Sequence, residues 1–182
     1  MHTNLEQEFK TMINEEQYNK LIAEFNLENN IYKQTNYYFD TPNHDLMSIH
    51  TVLRIREKTN SFKLTKKERG LNKNEALETH IFLNEQQAKN MLENGLDAQI
   101  IDIDHHVDCI CSLTTYRCKT AYKDGTLFFD RNEYYGNVDY EIEYEVDNIE
   151  QGTNDFIEFL KDRNIKLKNC KRKSERAYDS VK

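Results

Sequence analysis

Six short segments of the chain place charged or polar residues at every second position, which is the period of a β-strand. The positions that recur in this way are Glu6, Glu8 and Lys10; Arg54 and Arg56; Lys63, Thr65 and Lys67; Arg117 and Lys119; Asp130; and Glu141, Glu143 and Glu145. Alternate residues of a strand share one face, so each segment presents an ionic face where a β-sandwich would bury apolar side chains. The pattern therefore predicts a sheet that is ionic on one side and apolar on the other.

The hydrophobic alternation predicts about eight strands in an antiparallel arrangement. They are residues 3 to 10, 31 to 39, a hairpin over 51 to 67 that turns at Thr59 and Asn60, 75 to 83, and a meander of 113 to 122, 126 to 133 and 138 to 146. The meander turns near Asp124-Gly125 and Gly136, which are residue types that favour tight hairpin turns. Residues 96 to 111 fit either a strand or a helix, and their pattern slightly favours a helix.

Helices are predicted between the strands from their capping residues. Asn14 precedes helical spacing over residues 15 to 25, and Asn84 with Gln87 forms a capping box for a helix to about Glu93. Thr41 followed by Pro42 predicts a short helix to about Ser48. A final amphipathic helix is expected to begin near Thr153 or Asn154, and a basic tail follows from Lys171 to Arg176.

Together these elements predict an α+β fold in which an eight-stranded antiparallel sheet closes into a barrel and the helices pack outside it. The barrel interior would be ionic, because the outward face carries the apolar residues that the helices cover. Residues 1 to 182 are expected to form a single domain, since the chain has one Pro, five Gly and no linker-like tract.

Composition narrows the classes of function. Net charge is −7, from 25 basic and 32 acidic residues, which disfavours nucleic-acid or anionic-membrane binding. No apolar run approaches the roughly 18 residues of a membrane span, and no leader-like segment opens the chain, so a cytoplasmic location is expected. The four cysteines lack the paired spacing of a zinc site and are expected to be reduced. The acidic and histidine cluster at residues 102 to 106 is interpreted as a solvated helix face.

The ionic segments are segregated by sign, which points to a binding site. Neighbouring carboxylates repel one another unless a cation lies among them, and clustered Lys and Arg side chains need an anion. Carboxylates suit Mg²⁺ or Mn²⁺, with Glu6 and Glu8 as first ligands and Glu143 and Glu145 opposite. Basic side chains suit a chain of phosphates, and the predicted clamp is Arg54, Arg56, Lys63, Lys67 and Arg117, with Lys119 alternating beside it.

A set of motifs in this order resembles the CYTH superfamily, the triphosphate tunnel metalloenzymes, over essentially the whole chain. The motifs are Leu5-Glu6-Gln7-Glu8-Phe9-Lys10, Tyr38-Phe39-Asp40-Thr41, Leu53-Arg54-Ile55-Arg56, Leu64-Thr65-Lys66-Lys67, Leu77-Glu78-Thr79, Phe129-Asp130-Arg131 and Asp139 to Glu145, continuing to Lys173 and Arg176. In particular the chain is similar to a subgroup from Gram-positive bacteria labelled as adenylate cyclases or triphosphatases.

The resemblance implies a closed eight-stranded tunnel that binds triphosphate-containing small molecules with a divalent metal. By position, the implied metal ligands are Glu6, Glu8, Asp130, Glu143 and Glu145, and the implied phosphate-binding residues are Arg54, Arg56, Lys67, Arg117 and Lys173. Lys10 matches the signature lysine, and Lys10, Glu8 and Asp130 are the candidate catalytic residues. Further candidates are Glu78, Glu141 and Arg176, and the tail leaves Lys171 and Lys173 as alternatives for one lysine.

The implied reaction is attack of a metal-activated water on a terminal phosphoryl group, and inorganic tripolyphosphate is the first candidate substrate. A second metal is hypothesised to be held by Glu8, Asp130 and Glu145. The enzymatic alternatives are a class IV-type adenylate cyclase and a thiamine or nucleoside triphosphatase. From another class, a noncatalytic sensor of nucleotides or polyphosphate stays open, as does the choice between a monomer and a homodimer.

Overall fold

Eight antiparallel strands close into a barrel in the computed structural model, which describes residues 1 to 72 and 74 to 181. They are β1 (His2–Ile13), β2 (Tyr32–Asp40), β3 (Val52–Lys58), β4 (Ser61–Arg69), β5 (Glu75–Leu83), β7 (His106–Tyr122), β8 (Gly125–Tyr134) and β9 (Asn137–Val146). Around the barrel the order is β2-β3-β4-β5-β1-β9-β8-β7, and β7 pairs with β2 to close it. A two-residue strand, β6 (Leu96–Asp97), pairs with β7 outside the ring. The predicted closed barrel is confirmed.

Five helices are present in the described residues, and they lie outside the sheet or across one end of it. They are α1 (Glu15–Glu24), α2 (Asp45–Ser48), α3 (Glu85–Asn94), α4 (Ile149–Asp162) and α5 (Lys173–Asp179), with 3₁₀ turns at Glu28–Asn30 and Ala98–Ile101. The predicted capping box of α3 is formed, and the predicted cap of α1, Asn14, is present as part of a capping box with Gln17. None of the helices within this part of the chain has the length and apolar character needed to cross a bilayer.

The hydrophobic core lies between the barrel and its helices. On one side α1 and α4 cover β1, β8 and β9, and Phe129, Tyr144 and Phe159 are fully buried there. On the other side α3 packs beside β4 and β7, where Ile55 and Leu64 are fully buried. Each such side chain contributes about 1.5–3 kcal/mol by leaving water. Apolar side chains on the outward faces of the strands therefore stabilise the fold, and the inward faces are available for polar residues.

The register of β1 sets the positions of the acidic residues. This strand pairs with β5 through Gln7 and with β9 from Glu8 onward. Glu8 is thereby opposite Glu145, and Lys10 is opposite Glu143, with their side chains on the inner face. Strand pairing thus places the alternating charged residues of β1 and β9 next to one another on the inner face of the barrel.

Two predicted turns owe their tightness to backbone conformation. Thr59 and Asn60 both have positive φ between β3 and β4, and Tyr135 and Gly136 both have positive φ between β8 and β9. Two-residue hairpins of this handedness match the twist of the flanking strands. Both turn predictions are confirmed.

Two helix starts differ from the prediction because other residues supply the caps. Helix α2 begins at Asp45, four residues after Thr41, since the Asp40 carboxylate accepts hydrogen bonds from the backbone N–H groups of Leu46 and Met47. Helix α4 begins earlier than predicted, at Ile149, because the Asn148 side chain accepts hydrogen bonds at its first turn.

The helix prediction for residues 96 to 111 is wrong apart from one 3₁₀ turn. Strand β7 already starts at His106, because His106 and Val107 pair with β6, and from Asp108 onward the strand pairs with the end of β2 across a bulge. Val107 is fully buried. The acidic and histidine cluster of residues 102 to 106 lies in the connection before β7 and at its first residue, not on a helix face. Helix α5 was not predicted; the Glu175 carboxylate accepts a hydrogen bond from the Arg172 N–H at its start.

Candidate functional site

A cavity of about 680 Å³ occupies the interior of the barrel. At one end it reaches the turns that follow β3 and β7, where Lys58, Ser61 and Asp124 line it; this end is called the open rim. At the other end Lys173 and Ser174 of α5 line it; this end is called the covered end. A ligand that enters at the open rim therefore passes the ionic walls before it reaches α5.

One wall of the cavity carries a group of three carboxylates from β1 and β9. Oxygens of Glu6, Glu8 and Glu145 all lie within 4.8 Å of one another. Burial, then the Glu6 and Glu143 charges, raise the pKa of Glu145 to about 7, and burial with the Glu8 charge raises the pKa of Glu6. An all-oxygen set of carboxylate donors is the chemistry that a hard divalent cation prefers.

Two lysines partly neutralise this carboxylate group. The Lys67 ammonium binds the Glu6 carboxylate and lies 3.5 Å from Glu8, and Lys10 Nζ lies 3.2 Å from Glu8. Burial alone would raise the pKa of Glu8, but Lys67 and Lys10 outweigh it and hold that pKa at about 2. Glu8 is therefore ionised at neutral pH and available as a ligand.

A second group of carboxylates, Asp130, Glu141 and Glu143, is buried and already bound to cations of the chain. Lys173 contacts all three and lies 2.8 Å from Asp130. Arg117 binds Asp130 through two hydrogen bonds of 2.7 and 2.6 Å. Arg117 also binds Glu143, and Arg176 of α5 binds Glu141.

The structure does not bring Glu8, Asp130 and Glu145 together in one group, and their hypothesised binding of a second metal stays a prediction. Among the described residues Glu8 and Glu145 converge with Glu6, whereas Asp130 converges with Glu141 and Glu143. The reason is that Arg117 and Lys173 hold the Asp130 carboxylate beneath the cavity surface. A metal role for Asp130 in the other group stays a prediction.

The facing wall, formed by β3, β4 and β7, carries an excess of positive charge. Arg54 is paired with Glu78 at 3.2 Å. Arg56 and Lys63, in contrast, have no ion-pair partner within the described residues, and Arg56 donates its hydrogen bond to the Asn36 amide. Burial and the charges of Arg54 and Arg117 lower the pKa of Arg56 to about 10, and burial with Arg56 lowers the pKa of Lys63. An anion in the cavity would relieve this repulsion.

Most of the predicted site residues line the cavity. They are Glu6, Glu8, Lys10, Arg54, Arg56, Lys63, Lys67, Glu78, Arg117, Glu143, Glu145 and Lys173. Asp130, Glu141 and Arg176 lie behind this surface, in contact with it through ion pairs. Lys119 is exposed and does not line the cavity. Of the two alternatives in the tail, Lys173 points inward, whereas Lys171 is exposed and paired with Asp179 at 2.6 Å.

Sequence reasoning missed the inner face of β2. Tyr32, Gln34, Asn36 and Tyr38 line the cavity between β3 and β7. The signal was present as polar atoms at every second position, but the aromatic and β-branched content of this segment suggested only a strand. A search for alternating hydrogen-bonding groups, rather than for formal charge, would have found it.

The structure is a closed barrel whose cavity has a group of carboxylates on one wall and, on the facing wall, basic side chains without ion-pair partners among the described residues. Residues 4–178 match the CYTH domain, and the chain belongs to the CYTH family. This membership confirms the resemblance carried by the sequence motifs.

Individual relatives agree with this assignment. The chain is 31% identical over 189 residues to "Putative triphosphatase YjbK" of Bacillus subtilis (strain 168), across 98% of this chain and 97% of the relative. A crystal structure of a "putative adenylate cyclase" from Bacillus halodurans has a TM-score of 0.89 and 32% identity, covering 97% of this chain and 98% of that one. The Hippeastrum protein HpAC1 has a TM-score of 0.75 and 20% identity over 98% and 96% of the two chains, which shows a shared fold.

Proposed function

We propose that the chain is a divalent-metal-dependent hydrolase of inorganic tripolyphosphate that acts in the cytoplasm, where its four free cysteines would stay reduced. One observation carries the proposal: a carboxylate group suited to a cation faces unpaired basic side chains across one cavity. Family membership and the 31% identity to a protein named as a triphosphatase support it.

The residues present fit a divalent cation at Glu6, Glu8 and Glu145, because these three side chains offer only carboxylate oxygens. Mg²⁺ or Mn²⁺ bound there would supply Lewis-acid polarisation of a phosphoryl oxygen and lower the pKa of a bound water. Lys67 and Lys10, in contact with these carboxylates, hold them in place and limit their mutual repulsion.

The basic wall would bind the phosphate chain and stabilise the transition state. Water forms a bond to the terminal phosphorus while the anhydride P–O bond breaks, giving orthophosphate and pyrophosphate. Negative charge grows on the leaving oxygen, and Arg54, Arg56 and Lys63, which line the cavity, would neutralise it. Because Arg56 and Lys63 have no ion-pair partner among the described residues, they can attract the substrate's charge without giving up an existing ion pair.

A second candidate is action on a nucleoside triphosphate, either hydrolysis or cyclisation. Phe82 is 67% exposed and Tyr32 is half-buried, and both line the cavity near the open rim, where they offer aromatic surface to a base. The Bacillus halodurans relative is itself described as a "putative adenylate cyclase".

The proposal is tested with a substrate panel of tripolyphosphate, ATP, thiamine triphosphate and pyrophosphate, each with Mg²⁺, Mn²⁺ or a chelator. We expect tripolyphosphate to give the highest kcat/KM for orthophosphate release, and we expect the chelator to abolish release because the carboxylate group would lose its cation. Cyclic AMP from ATP, measured in the same reactions, would favour the cyclase. Tight binding of any triphosphate without turnover under every metal would favour the sensor.

Lys63→Met is expected to stabilise the ligand-free protein by about 1 kcal/mol while weakening tripolyphosphate binding. Lys63 adds charge to a wall that is already positive, and it has no ion-pair partner among the described residues. Thermal unfolding with and without tripolyphosphate measures both effects. Lys33→Met, at an exposed position on β2, is the control, and a lower melting temperature for ligand-free Lys63→Met would contradict the expectation.

A further inference from the structure

Three buried polar groups lie in one row across adjacent strands and lack a hydrogen-bond partner among the described residues. They are the Tyr38 hydroxyl on β2, Arg54 Nε on β3 and the Thr65 hydroxyl on β4. Tyr38 is paired in register with Arg54, and Arg54 is paired with Thr65. Buried donors without acceptors are rare because each one forfeits its bond to water. Three in one row on the inner face indicate an acceptor that comes from outside the chain.

Tyr38 is the member of this row that the charge pattern does not explain. Its side chain is 3% exposed and lines the cavity, and its ring packs in a cluster with Ala177 and Tyr178 of α5. The residue is therefore at the covered end of the tunnel, farthest from the open rim. The neighbouring strand positions on the same face belong to Asn36 and, across the pair, Arg54 and Arg56.

The chemistry of the hydroxyl fits a phosphoryl oxygen. Burial raises the pKa of Tyr38, although the nearby Arg54 and Lys173 charges oppose the rise, so the hydroxyl keeps its proton and can donate. A neutral donor can be placed among several cations without adding to their repulsion. A hydrogen bond to a charged acceptor is also stronger than one between neutral groups.

We propose that Tyr38 contacts the substrate, donating a hydrogen bond from its hydroxyl to the phosphoryl group that lies deepest in the tunnel, beside Arg54 at the covered end. This inference rests on the proposed function for the nature of the ligand, a triphosphate. It assigns to β2 a direct part in substrate binding. It also makes the covered end a separate phosphoryl subsite, in which one neutral hydrogen-bond donor lies among cationic side chains.

Tyr38→Phe tests the inference, and Tyr37→Phe is its matched control. Tyr37 precedes Tyr38 on β2 but faces outward, where its hydroxyl donates to the Glu57 carboxylate at 3.0 Å. Calorimetric titration with tripolyphosphate, thermal unfolding without ligand, and orthophosphate release with Mg²⁺ or Mn²⁺ are measured for both variants and the wild type.

For Tyr38→Phe we expect tripolyphosphate to bind roughly 10- to 100-fold more weakly, the loss of one hydrogen bond to a charged group. Without ligand, this variant should unfold at or above the wild-type temperature, because it removes a donor that has no partner. Tyr37→Phe should bind tripolyphosphate within twofold of the wild type and unfold at a lower temperature, because it loses the bond to Glu57.

Tyr38→Phe binding tripolyphosphate within twofold of the wild type would overturn the inference. A clear drop in its ligand-free melting temperature would overturn it as well, because the hydroxyl would then have a partner inside the protein. Failure of the proposed function has a different signature, namely wild-type protein that binds tripolyphosphate and releases no orthophosphate. In that case the binding comparison still decides the role of Tyr38.

Discussion

Lys173→Met is expected to lower the free energy of unfolding by about 3–5 kcal/mol at neutral pH, which corresponds to a fall in melting temperature of roughly 10 °C for a chain of this size. Lys173 neutralises three buried carboxylates, Asp130, Glu141 and Glu143, at one point. Methionine fills a similar volume but leaves these carboxylates with Arg117 and Arg176 alone. Thermal and denaturant unfolding measure the loss.

Lys171→Met is the control for this prediction. Lys171 is two residues away, with 67% of its side chain exposed and its charge paired with Asp179, so its removal should leave the melting temperature close to that of the wild type. Equal losses in the two variants would show that the inward contacts of Lys173 do not stabilise the fold.

The stability lost in Lys173→Met should depend on pH in a defined direction. Burial already raises the pKa of Glu141 to about 7 in the presence of Lys173, and without the lysine that pKa rises further. An acid whose pKa is higher in the folded state binds more protons there, so stability falls as pH rises through that range. The difference between variant and wild type should therefore shrink as the pH is lowered from 8 towards 5.

Glu8→Gln is expected to reduce metal-dependent orthophosphate release from tripolyphosphate roughly 100- to 1,000-fold, the size of effect seen when one electrostatic group of a transition state is removed. The amide keeps the size of the side chain but lacks the charge of an ionised carboxylate between Lys10 and Lys67. Release is measured at saturating tripolyphosphate over a titration of Mg²⁺ and of Mn²⁺.

Glu133→Gln is the matched control, because Glu133 is on β8 and is paired with Arg131 on the outer face of the barrel. It should leave orthophosphate release within twofold of the wild type. Tripolyphosphate binding without metal should persist in Glu8→Gln, since the basic wall is intact. Full release by Glu8→Gln in either metal would remove Glu8 from the proposed centre.

The sequence predicted the barrel because its alternation was unusually regular. Glu6, Glu8 and Lys10 alternate with Leu5 and Phe9, and a period of two leaves only one way to bury the apolar side. Acidic and basic residues also occur in separate segments, which indicated an acidic and a basic wall facing each other. In the structure both walls line one cavity. The order of the strands around the barrel could not be predicted from this alternation, because pairing between distant segments depends on contacts that no single segment encodes.

What the sequence could not reveal depends on contacts between residues far apart in the chain. Lys173, Arg176 and the rest of α5 have no continuous apolar stripe, so the pattern did not predict a helix there, and only the family resemblance indicated that Lys173 and Arg176 belong to the site. The helix is held by ion pairs to β8 and β9 and by Ala177 and Tyr178 packing near Tyr38. In the same way, the inner face of β2 is polar without being charged, and only closure of the barrel against β7 gives it a function.

The ion pairs of Lys173 also affect when the barrel can fold during synthesis of the chain. Glu143 is synthesised 30 residues before the lysine that neutralises it, and Asp130 and Glu141 come earlier still. A nascent chain that has completed all its strands therefore has Arg117 for Asp130 and Glu143 but lacks Lys173 and Arg176, the two cations that bind the buried Glu141. Because burying an unpaired carboxylate is costly, the barrel is expected to close fully only after α5 has been synthesised.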